Sequence, residues 1–87
     1  MATTSITLQG GWELGYTSTA NGTSIIFTPR TQGLNWAIRG DTTPPGASFL
    51  GHTTQAELDR EVFLAAGETI FFNGAVGYEL YHTVTEV

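Results

Sequence analysis

The chain has 87 residues, no cysteine, three Arg, no Lys and eight carboxylates, for a formal net charge of −5. A domain of this size buries only about 60% of its unfolded surface, and without cysteine it has neither disulfides nor thiolate-held zinc to supplement its core, so self-association or a larger assembly is the expected supplement. The negative charge repels phosphate and excludes nucleic acid and anionic membranes as expected partners, while 40% apolar residues, with two Trp, three Tyr and five Phe, exclude a disordered chain.

In chain order, Met1–Ser5 is rich in Thr and Ser and reads as a flexible N-terminal arm over residues 1–5. Apolar side chains then alternate. Ile6, Leu8, Trp12, Leu14 and Tyr16 share one phase, and Thr7, Gln9, Glu13 and Thr17 the other, which is the period of a half-buried strand. The Gly10-Gly11 pair in the middle predicts a bulge or bend dividing this run into two strands, and Asn21-Gly22 predicts a turn. Ser24–Thr28 reads as a strand ended by Pro29, and Leu34–Arg39 as another, with Leu34, Trp36 and Ile38 on one face.

Residues 40–57 form a long loop in which Pro44-Pro45-Gly46 forbids regular structure and only Phe49-Leu50 is strongly apolar. Loops of that length inside compact domains are usually functional or mobile. Thr54–Arg60 offers one helical turn, too short to persist alone. Arg60–Leu64, Thr69–Asn73 and Gly77–Thr85 return to strands, separated by Gly67 and Asn73-Gly74, and read as a meander of two consecutive hairpins. About seven short strands without a βαβ rhythm predict a single all-β domain over 1–87, a small antiparallel β-sandwich, jelly roll or barrel.

Groups able to carry chemistry are sparse. His52 with Ser48 and Asp59 is the one set that could be drawn as a hydrolytic triad, but no nucleophile elbow or oxyanion loop surrounds it, and a solvated loop histidine is the preferred reading. His82 is in phase with Tyr78, Leu80 and Val84, which places it at the end of a core face; a pH-sensitive contact or a metal ligand shared by symmetry-related chains are the alternatives. Glu57, Asp59 and Glu61 alternate and read as a solvated edge that discourages strand pairing, not as an acid/base pair. Asn21–Ser24 and Gly40–Thr43 lack the ligand spacing of a calcium loop, Asn21-Gly22-Thr23 reads as a turn more than a glycosylation acceptor, and no Gly-rich phosphate motif is present. The expectation is a non-enzyme without catalytic residues, cofactor or metal. The N-terminus has neither a basic segment nor an apolar core of signal-peptide length, and no apolar run approaches the ~18 residues of a membrane span. A protein made in the cytosol and kept there, or released by lysis, is expected.

The apolar residues that break the alternation are more informative. If Val62, Leu64, Ile70, Phe72, Tyr78, Leu80 and Val84 face the core, then Phe63, Phe71 and Tyr81 face away. A hairpin about Ala66-Gly67 that keeps this phase sets Leu64 opposite Ile70 and Phe63 opposite Phe71, a cross-strand aromatic pair on the outer face. Either the Phe49-Leu50 segment folds over that pair, or Phe63, Phe71, Tyr81, Phe49 and Leu50 belong to a subunit or partner interface. A sugar-stacking platform of Trp12, Trp36 or Tyr81 is a further reading, although both Trp are in phase with the core.

From about Asn35 to Glu86 the order of features is similar to short virion proteins of tailed bacteriophages. Strand NWAIR precedes the loop TTPPGASFLGHTTQ; DREVFLAAGETIFFNG and GYELYHTVTEV then resemble the ending of an apolar strand, a small-Gly-Glu turn, an aromatic strand, a Gly turn and a terminal strand found in capsid decoration proteins and small head or tail fibre domains. The resemblance implies a structural virion protein, most of all a capsid decoration (cement) protein that binds between capsid subunits and stabilises the head. It implies self-association, commonly as trimers, contact with capsid or tail proteins, and no catalytic residues. The alternative it leaves open is a carbohydrate- or receptor-binding domain of a tail fibre or a small lectin.

Overall fold

The computed structural model describes residues 2–19, 21–29, 33–46, 49–53 and 58–86. Every regular element among them is a strand: β1 Ala2–Thr7, β2 Trp12–Thr17, β3 Thr23–Thr28, β4 Asn35–Arg39, β5 His52–Thr53, β6 Arg60–Leu64, β7 Thr69–Asn73 and β8 Glu79–Glu86. The expected strands are present, with the first run divided at Gly10-Gly11. The described strands number eight and not seven, because the long loop contains the short β5. Residues 2–5, expected in a free arm, are the start of β1. Of the expected helical turn, residues 54–57 lie outside the described residues, Leu58 and Asp59 have no regular structure, and Arg60 opens β6.

The chain folds as one long antiparallel ribbon. The first four strands form one arm and the last four the other, so that β1 pairs with β8, β2 with β7, β3 with β6 and β4 with β5. The arms stay hydrogen-bonded through the bends. Leu8 N donates to Tyr78 O (2.8 Å) and Gly77 N to Leu8 O (2.9 Å) at the first corner, and Ser18 N donates to Glu68 O (2.7 Å) at the second. Wrapping the ribbon places successive pairs in opposite sheets, sheet A in the order β1-β8-β3-β6 and sheet B in the order β2-β7-β4-β5. Two packed four-stranded antiparallel sheets with this connectivity make a jelly-roll sandwich.

This topology overturns the expected meander. β6 and β8 lie in sheet A, with β7 between them in sequence but in sheet B. The Ala65–Glu68 turn, closed by Glu68 N to Ala65 O and by Ala65 N to the Glu68 carboxylate, is a corner between sheets and not a hairpin. Phe63 therefore faces Ser24, while Phe71 faces Leu14 on one side and Ala37 on the other. A tight turn closed by its own hydrogen bonds serves a hairpin and a corner equally, so local chemistry does not distinguish them.

The inner faces build the core expected from alternation. Sheet A contributes Ile25, Phe27, Val62, Leu64 and Leu80, and sheet B Trp36, Ile70 and Phe72, with Tyr78 and Val84 packed against them. Phe27 is the centre: it meets Phe72 edge to face at 5.0 Å and Trp36 at 6.1 Å, geometries that the ring quadrupole favours.

Strand β2 departs from the simple phase. Trp12 and Leu14 pair with Asn73 and Phe71, so they lie on the outer face of sheet B, and a bulge between Leu14 and Tyr16 returns Tyr16 to the inner face beside Ile70. Gly15 sits in that bulge against the Phe72 ring, where a β-carbon would overlap the aromatic edge. Phe71 is thus off the main core yet fully buried, with Leu14 and Ala37 as its ladder neighbours. On the same side of the sheet, Trp12 packs on Phe49 at 6.0 Å and its indole N–H donates to the Phe49 carbonyl. Gly51, at φ +66°, lets the loop pass so close that a β-carbon would lie 2.7 Å from the Trp36 carbonyl oxygen.

Candidate functional site

The outer face of sheet A is a flat array assembled by three ladders. Ser24 lies between Phe63 and Thr85, Ile26 between Glu61 and Thr83, and Thr28 beside Tyr81, with Thr3, Ser5 and Thr7 completing the rows on β1. Moving one strand and one row at a time, Phe63, Ile26 and Tyr81 form a diagonal stripe, a spacing of about 7–8 Å per step that large side chains bridge. All three are exposed, at 69%, 39% and 41%. Hydroxyls and carboxylates border them and hold one another: Ser24 donates to Glu61 (2.9 Å), Thr28 to Asp59, Tyr81 to Glu79, and Thr3 and Thr83 share a bond of 2.6 Å. The surface is pre-ordered, weakly polar and acidic.

The five interface residues expected from sequence separate into three environments. Phe63 and Tyr81 are on this stripe. Phe49 and Leu50 are exposed, but on the loop that packs against Trp12 at sheet B. Phe71 is a correction: it faces away from the main core as expected, but it is 0% exposed and cannot contact a partner, because its outer side is occupied within the chain. Ile26 is the residue that sequence reading missed. Its signal was present, since Ile25 and Phe27 are buried and strict alternation puts Ile26 on the opposite face.

A second feature is the opening between the two sheets where their edge strands β1 and β2 meet. It is a cleft of about 740 Å³ reaching from Thr4 and Ile6 to Gly15 and Tyr16, with Val84 and Glu86 on its β8 side. The Tyr16 hydroxyl donates to Glu86 Oε1 at 2.7 Å. That bond, then burial and the carboxylate charge, raises the phenol pKa above its ordinary value, so Tyr16 keeps its proton. His82 is 7% exposed; its Nε2 lies 3.2 Å from the Thr4 hydroxyl, and its Nδ1 is buried without a partner in the chain. Burial lowers the imidazole pKa because desolvation penalises the cation. The residues of this cleft lie up to 82 positions apart in sequence, and no local signal connects them.

The groups considered for catalysis are not brought together. His52 stacks on Trp36 at 4.5 Å, Asp59 accepts from Thr28, and Ser48 lies outside the described residues. Asp59 and Glu61 both bond outer-face hydroxyls at the edge strand β6, while Glu57 lies outside the described residues. Asp41 accepts from Thr43 N and lies 3.6 Å from Arg39. Among the described residues no group of three or more His, Asp or Glu is placed to hold a metal ion. Neither Trp is an open stacking platform: Trp36 is buried between His52 and the Arg60 guanidinium at 5.3 Å, and the Trp12 ring is engaged by Phe49. Compared with known protein families, with curated proteins and with solved structures, the chain has no match.

Proposed function

We propose that the protein is a structural component of a tailed-phage virion, a decoration module that binds between capsid subunits through the outer face of sheet A. The observation that carries this reading is the exposed diagonal of Phe63, Ile26 and Tyr81 on a flat, internally hydrogen-bonded sheet face. Contiguous exposed apolar side chains rimmed by polar groups mark protein contacts, and ordering the rim in advance reduces the entropy lost on docking. Jelly rolls are a recurrent architecture of viral shell proteins, which supports the reading by analogy of fold. Many copies on one shell would bind by multivalency, each through a modest area, and self-association as trimers would raise the effective concentration further.

The test is co-sedimentation of the purified protein with undecorated capsids. Saturation at a fixed, symmetry-compatible number of copies is expected, and Phe63→Ser combined with Ile26→Ser should abolish it while leaving the thermal transition in place. Absence of saturable binding to capsids defeats the assignment.

A further inference from the structure

We infer that the cleft between β1 and β2 is a binding site for a neutral saccharide unit, beside the Phe63–Ile26–Tyr81 stripe but not including it, and independent of the capsid reading. Three observations lead there. The space lies between the edge strands of the two sheets, where the bulge beside Gly15 turns Tyr16 inward. Its volume, about 740 Å³, lies within the roughly 300–1,000 Å³ of small-molecule sites. Its lining combines a phenol ring and the apolar side chains of Ile6 and Val84 with the Glu86 carboxylate and the Thr4 hydroxyl.

This combination sorts the ligand chemistries. No Arg lines the cleft, so an anionic ligand would meet only the Glu86 charge and be repelled. A quaternary ammonium is best held by several aromatic faces, and Tyr16 is the one aromatic ring in the lining apart from the buried His82. A neutral sugar fits both halves. Its C–H face packs on the Tyr16 ring and Val84, and vicinal hydroxyls donate to the Glu86 carboxylate, whose Oε1 is already held in position by the Tyr16 hydroxyl. A carboxylate oriented in this way accepts charge-assisted bonds, the stronger kind. Thr4, anchored on His82, offers a further hydroxyl from an exposed position on the β1 side.

The experiment is an amide-resolved NMR titration of the full chain with a panel of neutral mono- and disaccharides, with choline chloride and sodium phosphate as separate arms. Saturable shifts confined to the amides of Thr4, Gly15, Tyr16 and Glu86 are expected with at least one saccharide. Glu86→Gln should weaken that binding about tenfold, the loss of one charge-assisted bond, and Tyr16→Phe should weaken it less, both with the thermal transition retained because Glu86 is exposed and Tyr16→Phe keeps the ring that packs on the core. No localised shift with any saccharide, a stronger response to choline or phosphate, or shifts centred on Phe63 and Ile26 would overturn the inference. Loss of capsid binding with the saccharide response intact would defeat only the docking reading.

Discussion

His82 Nε2 lies 3.2 Å from the Thr4 hydroxyl, joining the last strand to the first on the inner face of sheet A. Phe27 and Phe72 are the other near neighbours, the Phe72 ring at 6.4 Å, and the nearest cation on that row is Arg60, one strand beyond Phe27. Among the described residues no carboxylate offsets the burial of the ring, and its pKa is lowered. Above the unfolded-state value of about 6.5 the ring is neutral in both states and stability is unaffected by it. Below that value the unfolded chain binds the proton first, so stability falls as pH drops from about 6.5 through the lower folded pKa. Urea midpoints at pH 8, 6.5 and 5 should show this loss, and His82→Gln should remove the part of it between pH 6.5 and 5. An unchanged pH dependence in the variant would contradict the assignment.

The two outward-facing phenylalanines should behave oppositely. Phe71 is fully buried on the outer side of sheet B, and Phe63 is exposed on sheet A. Phe71→Ser should cost at least the about 3–5 kcal/mol typical of removing a buried aromatic, whereas Phe63→Ser should stay within about 0.5 kcal/mol as a surface change. Equilibrium denaturation of the two variants decides this; equal costs would mean the faces are misassigned.

Gly15 and Phe72 should be energetically coupled. A methyl at Gly15 overlaps the ring edge of Phe72 and lies 3.3 Å from Ile70 O, so Gly15→Ala should cost about 1–3 kcal/mol by overpacking. Phe72→Leu removes the ring edge, and in that background the same Gly15→Ala change should cost clearly less. The double-mutant cycle measures the difference directly. Additive costs would show that the approach of the Phe72 ring is not what requires the glycine.

Strand identity was legible in the chain because a half-buried strand writes its period into the residues. Arg60–Leu64 and Thr69–Asn73 are strands over the expected bounds, and Val62, Leu64, Ile70, Phe72 and Leu80 face the core as alternation requires. The outward placement of Phe63 and Tyr81 follows from the same rule. What alternation does not carry is which sheet a strand joins. The Ala65–Glu68 turn has the chemistry of a hairpin and forms a corner, so Phe63 and Phe71, expected side by side, lie in different sheets.

Sequence by itself determined an all-β, cysteine-free, acidic chain, its strand positions and most of its core, because those properties depend on side-chain period and composition within a few residues. Tertiary structure decided the rest. The jelly-roll order depends on ladders such as Ala2 to Val84, between residues nearly a chain length apart. The bulge at Gly15 moves Trp12 and Leu14 to the outer face while Tyr16 stays inward, a change invisible to a period that is continuous on either side. Phe71 is buried, and the Tyr16–Glu86 cleft exists, only because distant segments meet. Local pattern specifies which side chains share a face; only the closed ribbon specifies what that face meets.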